Sequence, residues 1–136
     1  MSRRRRRDEI LERFSHRYAE AGTAAGRLVE RSVIGADVGA NGYTTLAQAD
    51  RLAGALDLSP ESRLLDLGSG RGWPGLHVAA RAGCQAVLTD VPEPAVRAAR
   101  RNSDAASDRV LVARASATHL PFAARSFDAI CHADTL

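Results

Sequence analysis

Residues 64–75 read LLDLGSGRGWPG, and this stretch decides the fold of the chain. It opens on an apolar run typical of a buried strand, and glycines then recur at positions 68, 70 and 72. Glycine suits such a turn because it adopts positive φ at little steric cost and lets a ligand approach bare backbone. Pro74 and the apolar residues after it predict a helix whose first N–H groups point at whatever is bound. The stretch therefore predicts a strand, a ligand-binding turn and a helix.

An acidic residue marks the end of the next apolar run. Asp90 lies 22 positions after Gly68 and closes the run at residues 86–88. An acid about 20 residues beyond the first glycine is where nucleotide-binding βαβ units hold a ribose. The spacing therefore favours a ligand that contains a nucleoside.

Helical and strand patterns alternate along the second half of the chain. We predict strands over 63–67, 86–90, 109–113 and 127–132, with helices over 74–82 and 93–102. This alternation indicates the α/β class, with a Rossmann-like parallel sheet and flanking helices. Ahead of it, Leu11, Phe14 and Tyr18 recur at helical spacing, and Thr45 with Gln48 has the spacing of a capping box.

Two further features carry a resemblance to a known family. Asp66 precedes the first glycine by two residues, a position where nicotinamide-binding domains usually have an apolar residue. The pattern acid-x-Gly-x-Gly-x-Gly resembles the first motif of class I S-adenosylmethionine-dependent methyltransferases. The segments ATHLPF at 117–122 and SFDAI at 126–130 look like a stretch found in small-molecule members. The resemblance covers residues 64–136, and a weaker likeness extends to residues 41–48.

The resemblance implies S-adenosyl-L-methionine as cofactor and a set of residues that bind it. The glycine loop would pass under the methionine end, Asp66 would help to hold the ammonium group, and Asp90 would accept hydrogen bonds from both ribose hydroxyls. Ser116 and Ala117 match the positions beside the adenine, and Tyr43 and Gln48 would close over the cofactor. Capping explains Gln48 nearly as well. The implied cofactor-binding residues are Asp66, Gly68, Ser69, Gly70, Gly72, Asp90, Val91, Ser116, Ala117, Tyr43 and Gln48.

Two polar residues follow the last predicted strand, at the edge where open parallel sheets bind ligands. His132 and Asp134 are therefore the candidate catalytic residues, either as a general base or as groups that orient the acceptor. Methyl transfer depends mainly on alignment, so a base is optional. We predict no metal site, because the histidines and cysteines show no metal-ligand spacing.

Composition separates a basic start from a mildly acidic body. The net charge is +3, but without the run Arg3–Arg7 the remaining 14 basic side chains face 16 acidic ones. We predict a disordered arginine tail over 1–7, a helical segment and loop over 8–58, and a cofactor-binding domain over 59–136. Cys84 and Cys131 are expected to be free thiols in a reducing compartment, and no apolar run has the length of a membrane span. We therefore expect a cytoplasmic protein without membrane attachment and do not expect nucleic-acid binding.

The resemblance also implies a seven-stranded sheet, of which this sequence contains the first four strands. On that basis we expect an incomplete domain, in which methyl-transfer turnover by the 136 residues is doubtful. The expected function is S-adenosylmethionine-dependent methylation of an unknown, small-molecule acceptor. The alternatives are a non-catalytic remnant that binds the cofactor and an NAD-dependent oxidoreductase-like domain. The methylated atom and the oligomeric state are not predicted.

Overall fold

The computed structural model describes residues 2–20, 22–40, 42–133 and 135. Within these residues, parallel strands form one sheet in the order β3-β2-β1-β4. The strands are β1 (Arg63–Leu67), β2 (Gln85–Asp90), β3 (Val110–Arg114) and β4 (Ala129–His132). The predicted α/β fold with a Rossmann-like parallel sheet is confirmed, and each strand begins and ends within two residues of its predicted bounds.

The strand order creates a crevice beside β1. Strand β1 pairs with β2 on one side and with β4 on the other. The order in which the strands are added to the sheet therefore reverses at β1. Leu67, Asp90 and His132 all end their strands at the same edge. In open parallel sheets, ligands bind at this carboxyl edge where the strand order reverses.

A hydrophobic cluster lies between the sheet and two of the helices. The helices are α1 (Arg3–Glu20), α2 (Ala24–Ile34), α3 (Leu46–Leu56), α4 (Gly75–Ala82) and α5 (Glu93–Asp104). Leu64, Ala86 and Cys131 from the sheet cluster with Val78 and Ala79 of α4, and α3 packs its apolar residues against this cluster. The helix α5 contacts β2 and β3.

The arginine run Arg3–Arg7 is helical, which corrects its prediction as a disordered tail. It forms the first turns of α1, exposed to solvent. The Ser2 hydroxyl accepts a hydrogen bond from the Arg5 backbone N–H at 3.3 Å and so caps the helix. Arginine is a good helix former, and the Arg5–Glu9 pair offsets part of the repulsion among the guanidinium groups. Repulsion among the arginines was therefore not enough to predict that this segment is disordered.

No helix in the described parts of the chain combines the length and the apolar character needed to cross a bilayer. Cys84 and Cys131 are buried free thiols, as expected from the sequence. The cytoplasmic location stays a prediction.

Candidate functional site

The loop after β1 has a backbone that only glycine adopts readily. Gly68 and Gly70 have φ of 65° and 57°, in the left-handed region. The N–H of Ser69 donates to the carbonyl of Thr89 at 2.9 Å, which ties the loop to the end of β2. A Cβ atom on Gly70 would lie 2.7 Å from the Tyr18 hydroxyl, so this backbone is closely approached.

Asp90 fastens the same loop from the end of β2. Its Oδ2 accepts from the Gly70 N–H at 2.8 Å, and its Oδ1 accepts from the Val91 N–H at 2.7 Å. Burial raises the pKa of Asp90, and the two N–H donors oppose that rise. Each carboxylate oxygen keeps a further lone pair. The carboxylate is thus held in place while retaining the capacity to accept hydrogen bonds from a ligand.

These residues form one wall of a cleft of about 530 Å³ at the carboxyl edge of the sheet. Most of the predicted cofactor-binding residues line it. Tyr43 lines the cleft as well, with 76% of its surface exposed. The predicted residues that the structure brings together at the cleft are Gly68, Ser69, Gly70, Asp90, Val91, Ser116, Ala117 and Tyr43.

Ser69 has a buried hydroxyl in the wall of this cleft. The residue is 3% exposed, and its Oγ has no hydrogen-bond partner among the described residues. Leaving such a group unpaired costs about 1–3 kcal/mol. A polar ligand in the cleft that reached this hydroxyl would remove that cost.

The opposite wall of the cleft comes from α1. Ile10, Leu11, Phe14 and Tyr18 line it, at the spacing of three and four residues that places side chains on one helix face. The sequence predicted an apolar face for three of these residues but assigned them no role at a site. Their helical periodicity indicated that the face exists, but it did not indicate which part of the protein the face would cover.

Tyr18 connects α1 to the glycine loop. The Arg71 Nη2 donates to the Tyr18 carbonyl at 2.8 Å. Burial raises the pKa of the Tyr18 phenol to about 12, and the nearby Asp90 carboxylate adds to the rise. At neutral pH the phenol is therefore protonated and can donate a hydrogen bond beside Asp90 and Gly70.

Asp66 is not among the residues that line the cleft, and its predicted part in holding the ammonium group stays a prediction. It is 1% exposed and lies on the α4 side of β1, beneath the loop. Its Oδ1 accepts from the Cys131 thiol at 3.5 Å, whereas Oδ2 packs against the backbone of Gly75. Burial raises the pKa of Asp66 to about 7, and the Asp90 carboxylate contributes. In this structure the Asp66 carboxyl therefore packs against the start of α4.

The buried carboxyl gives the free energy of unfolding a pH dependence that Asp66→Asn should remove. Its folded pKa of about 7 exceeds the ordinary 3.8, so between these values the folded chain keeps a proton that the unfolded chain releases. The associated stability is fully present below about pH 4 and is lost as the pH rises through about 7, a change on the order of 4 kcal/mol.

Urea unfolding of the wild type and Asp66→Asn at about pH 5 and pH 8 tests this, because most of the loss falls between these two conditions. We expect the wild type to lose stability relative to the variant at the higher pH. Asp108→Asn, at an exposed position, is the matched control and should track the wild type. Parallel pH profiles for wild type and Asp66→Asn would mean that Asp66 titrates alike in both states.

Two more predicted cofactor residues lie elsewhere. Gly72 does not line the cleft; it faces a neighbouring cavity and packs against Leu76. Gln48 completes the capping box of α3, because its Oε1 accepts from the Thr45 N–H at 2.8 Å while its own N–H donates to the Thr45 hydroxyl. The capping explanation of Gln48 is the one that the structure supports.

Of the two predicted catalytic residues, the structure describes His132. His132 ends β4 with an exposed side chain and does not line the cleft. Asp134 lies outside the described residues. Ala133 and Thr135, from the same segment, do line the cleft. Across the described parts of the chain, no group of His, Cys, Asp and Glu side chains is arranged to hold a metal ion.

Comparison with known proteins identifies relatives of both sequence and fold. Residues 64–136 match the protein-family model described as "Methyltransferase domain". Among curated proteins, 27-O-demethylrifamycin SV methyltransferase of Amycolatopsis mediterranei is 34% identical over 94 residues, which are 68% of this chain and 35% of that protein. The chain thus spans about a third of the length of this relative.

Solved structures extend the likeness. An RNA methyltransferase from Salinibacter ruber in complex with S-adenosyl-L-homocysteine has a TM-score of 0.51 and 28% identity, over 54% of this chain and 49% of that one. Phosphoethanolamine N-methyltransferase 1 from Haemonchus contortus, in complex with phosphoethanolamine and S-adenosylhomocysteine, has a TM-score of 0.71 over 97% of this chain and 26% of its own. At 15% identity the second likeness shows the fold alone.

Proposed function

The chain belongs to the methyltransferase domain family, and on that premise we propose that its cleft holds S-adenosylmethionine for methyl transfer to a small-molecule acceptor. The observation that carries the proposal is Asp90. Its carboxylate is fixed by Gly70 and Val91 at the wall of the cleft and keeps lone pairs for further donors. The two hydroxyls of a ribose are donors of the kind that such a carboxylate accepts.

The residues of the cleft fit the cofactor in three respects. Asp90 would hold the ribose hydroxyls, and the backbone of Gly68 and Gly70 would lie along the methionine end. The unpartnered Ser69 hydroxyl would gain a hydrogen bond from a polar group of the cofactor. Ser116, which also lines the cleft, would lie beside the adenine with Ala117.

When bound, the cofactor would supply a sulfonium methyl group, to which a nucleophile of the acceptor would bond in line as the carbon–sulfur bond breaks and S-adenosylhomocysteine leaves. The chain contributes position rather than bond-making groups, since alignment accounts for much of the barrier to such a transfer. The apolar side chains of α1 line the cleft, and a cofactor bound against them would be partly shielded from water. The roles of His132 and Asp134 as base or orienting groups stay predictions.

Calorimetric titrations with S-adenosylhomocysteine and with NAD⁺ test the proposed cofactor. We expect saturable binding of S-adenosylhomocysteine and no binding of NAD⁺. The two titrations separate the proposal from the NAD-dependent alternative, which uses the same type of turn for a different ligand. Binding of NAD⁺ alone would overturn the proposal. Transfer of labelled methyl groups from S-adenosylmethionine to a panel of small molecules then tests the reaction.

A further inference from the structure

The α1 wall of the cleft combines apolar and cationic side chains on one helix face. Ile10, Leu11 and Phe14 lie between Arg7 and Arg17 in the sequence, and all five residues line the cleft. Their spacing of three and four places them along a single stripe of the helix. Ile10 is 42% exposed, so packing against the sheet does not seal this stripe. Such a surface suits a ligand with an apolar body.

The charges of the cleft indicate what else that ligand carries. Among the described residues that line it, the charged side chains are Arg7, Arg17, Arg71 and Asp90. The cofactor of the proposed function adds a sulfonium and an ammonium against one carboxylate, a net charge of one. Counted over these described lining residues and the cofactor, formal positive charge therefore exceeds formal negative charge, in a partly enclosed space where charges interact more strongly than in water. An anionic second ligand reduces this excess, whereas a cationic one increases it.

The positions of the three guanidinium groups indicate which of them the anionic group of the second ligand contacts. Arg71 donates to the Tyr18 carbonyl and belongs to the link between α1 and the glycine loop. Arg17 adjoins Tyr18, whose hydroxyl lies over Gly70 in the proposed cofactor half of the cleft. Arg7 lies ten residues earlier, roughly 15 Å along the helix at 1.5 Å per residue. One small anionic group cannot contact both ends, and Arg7 is the cation farther along α1 from Tyr18.

We propose, resting on the proposed function, that the methyl acceptor is a largely apolar small molecule that bears an anionic group. Its apolar body lies on the stripe of Ile10, Leu11 and Phe14, and its anionic group contacts the guanidinium of Arg7. The chemistry that recognises the acceptor is that of a carboxylate, sulfonate or phenolate joined to a hydrocarbon or aromatic frame.

Two dyes that differ in one charge test this assignment. Anilinonaphthalene sulfonate is an apolar anion, and phenylnaphthylamine is its uncharged counterpart. The dyes are titrated at low salt with saturating S-adenosylhomocysteine. We expect Arg7→Gln to weaken binding of the anionic dye roughly 5-fold, because a partly exposed ion pair is lost. The affinity for the neutral dye should not change. Arg5→Gln removes the same charge from the same helix at a position that does not line the cleft, and it should change neither affinity.

Calorimetry with S-adenosylhomocysteine on each variant separates this inference from the proposed function. The expected result is equal cofactor affinity in wild type, Arg7→Gln and Arg5→Gln. Weaker cofactor binding in Arg7→Gln would make Arg7 a cofactor contact and overturn the assignment. The assignment would also be overturned if both arginine variants bound the anionic dye equally weakly, or if S-adenosylhomocysteine displaced the dye. Absence of any cofactor binding in the wild type would instead refute the proposed function.

Discussion

Replacing Asp90 with alanine is expected to weaken S-adenosylhomocysteine binding by roughly 30- to 1,000-fold. The substitution removes a carboxylate that would accept two charge-assisted hydrogen bonds, together worth about 2–4 kcal/mol. It also releases the N–H groups of Gly70 and Val91, which Asp90 now holds at 2.8 Å and 2.7 Å. Isothermal titration calorimetry of wild type and variant measures the effect.

Two controls separate binding from folding in that comparison. Asp108→Ala changes the same residue type at an exposed position away from the cleft, and it should bind like the wild type. Urea unfolding of Asp90→Ala checks that the variant is folded at the temperature of the titration. Equal affinities of folded Asp90→Ala and wild type would remove Asp90 from the site.

A large loss of stability at constant pH is expected from Gly75→Ala at the start of α4. A Cβ atom on Gly75 would overlap the Oδ2 of Asp66, which is itself buried and without room to move. Adding a methyl group to a packed interior costs about 1–3 kcal/mol, and more where backbone and a buried carboxyl are both involved. We therefore expect the free energy of unfolding, measured with urea, to fall by at least about 3 kcal/mol.

The chain offers a matched glycine for that test. Gly54 lies in α3, where an added Cβ atom would meet nothing within 4 Å. Gly54→Ala should therefore stabilise the protein by about 0.4–1 kcal/mol through helix propensity and a less flexible unfolded chain. The pair Asp66→Ser and Gly75→Ala should also be non-additive, because the smaller side chain makes room for the methyl group. Additive costs would show that the strain arises elsewhere.

The sheet and its glycine loop were predictable because their determinants are local. Strand β1 has the predicted bounds, 63–67, since an apolar run followed by glycines fixes both its core and its end. The position of Asp90 at the end of β2 follows from a spacing that βαβ units share, whereas its hydrogen bond with the Gly70 N–H was not predicted. The capping box of Thr45 and Gln48 is equally local, and both of its hydrogen bonds are present.

Asp66 and α1 show where reasoning from the sequence was insufficient. In a strand, successive side chains point to opposite faces, so Asp66 shares the face of Leu64 and points into the core. The family resemblance outweighed this alternation in the prediction. The periodicity of Leu11, Phe14 and Tyr18 predicted an apolar face, but only the tertiary packing places that face over Gly70 and the cleft.

Hydrogen–deuterium exchange with and without saturating S-adenosylhomocysteine tests most directly whether the cofactor lies between the glycine loop and α1. The account predicts slower exchange in both walls of the cleft, at residues 68–70 and 90–91 on one side and at residues 10–18 on the other, because both walls would contact or cover the ligand. Helix α3, which does not line the cleft, should exchange at the same rate in both conditions. Binding that leaves both walls unprotected, or that protects α3 instead, would contradict the account.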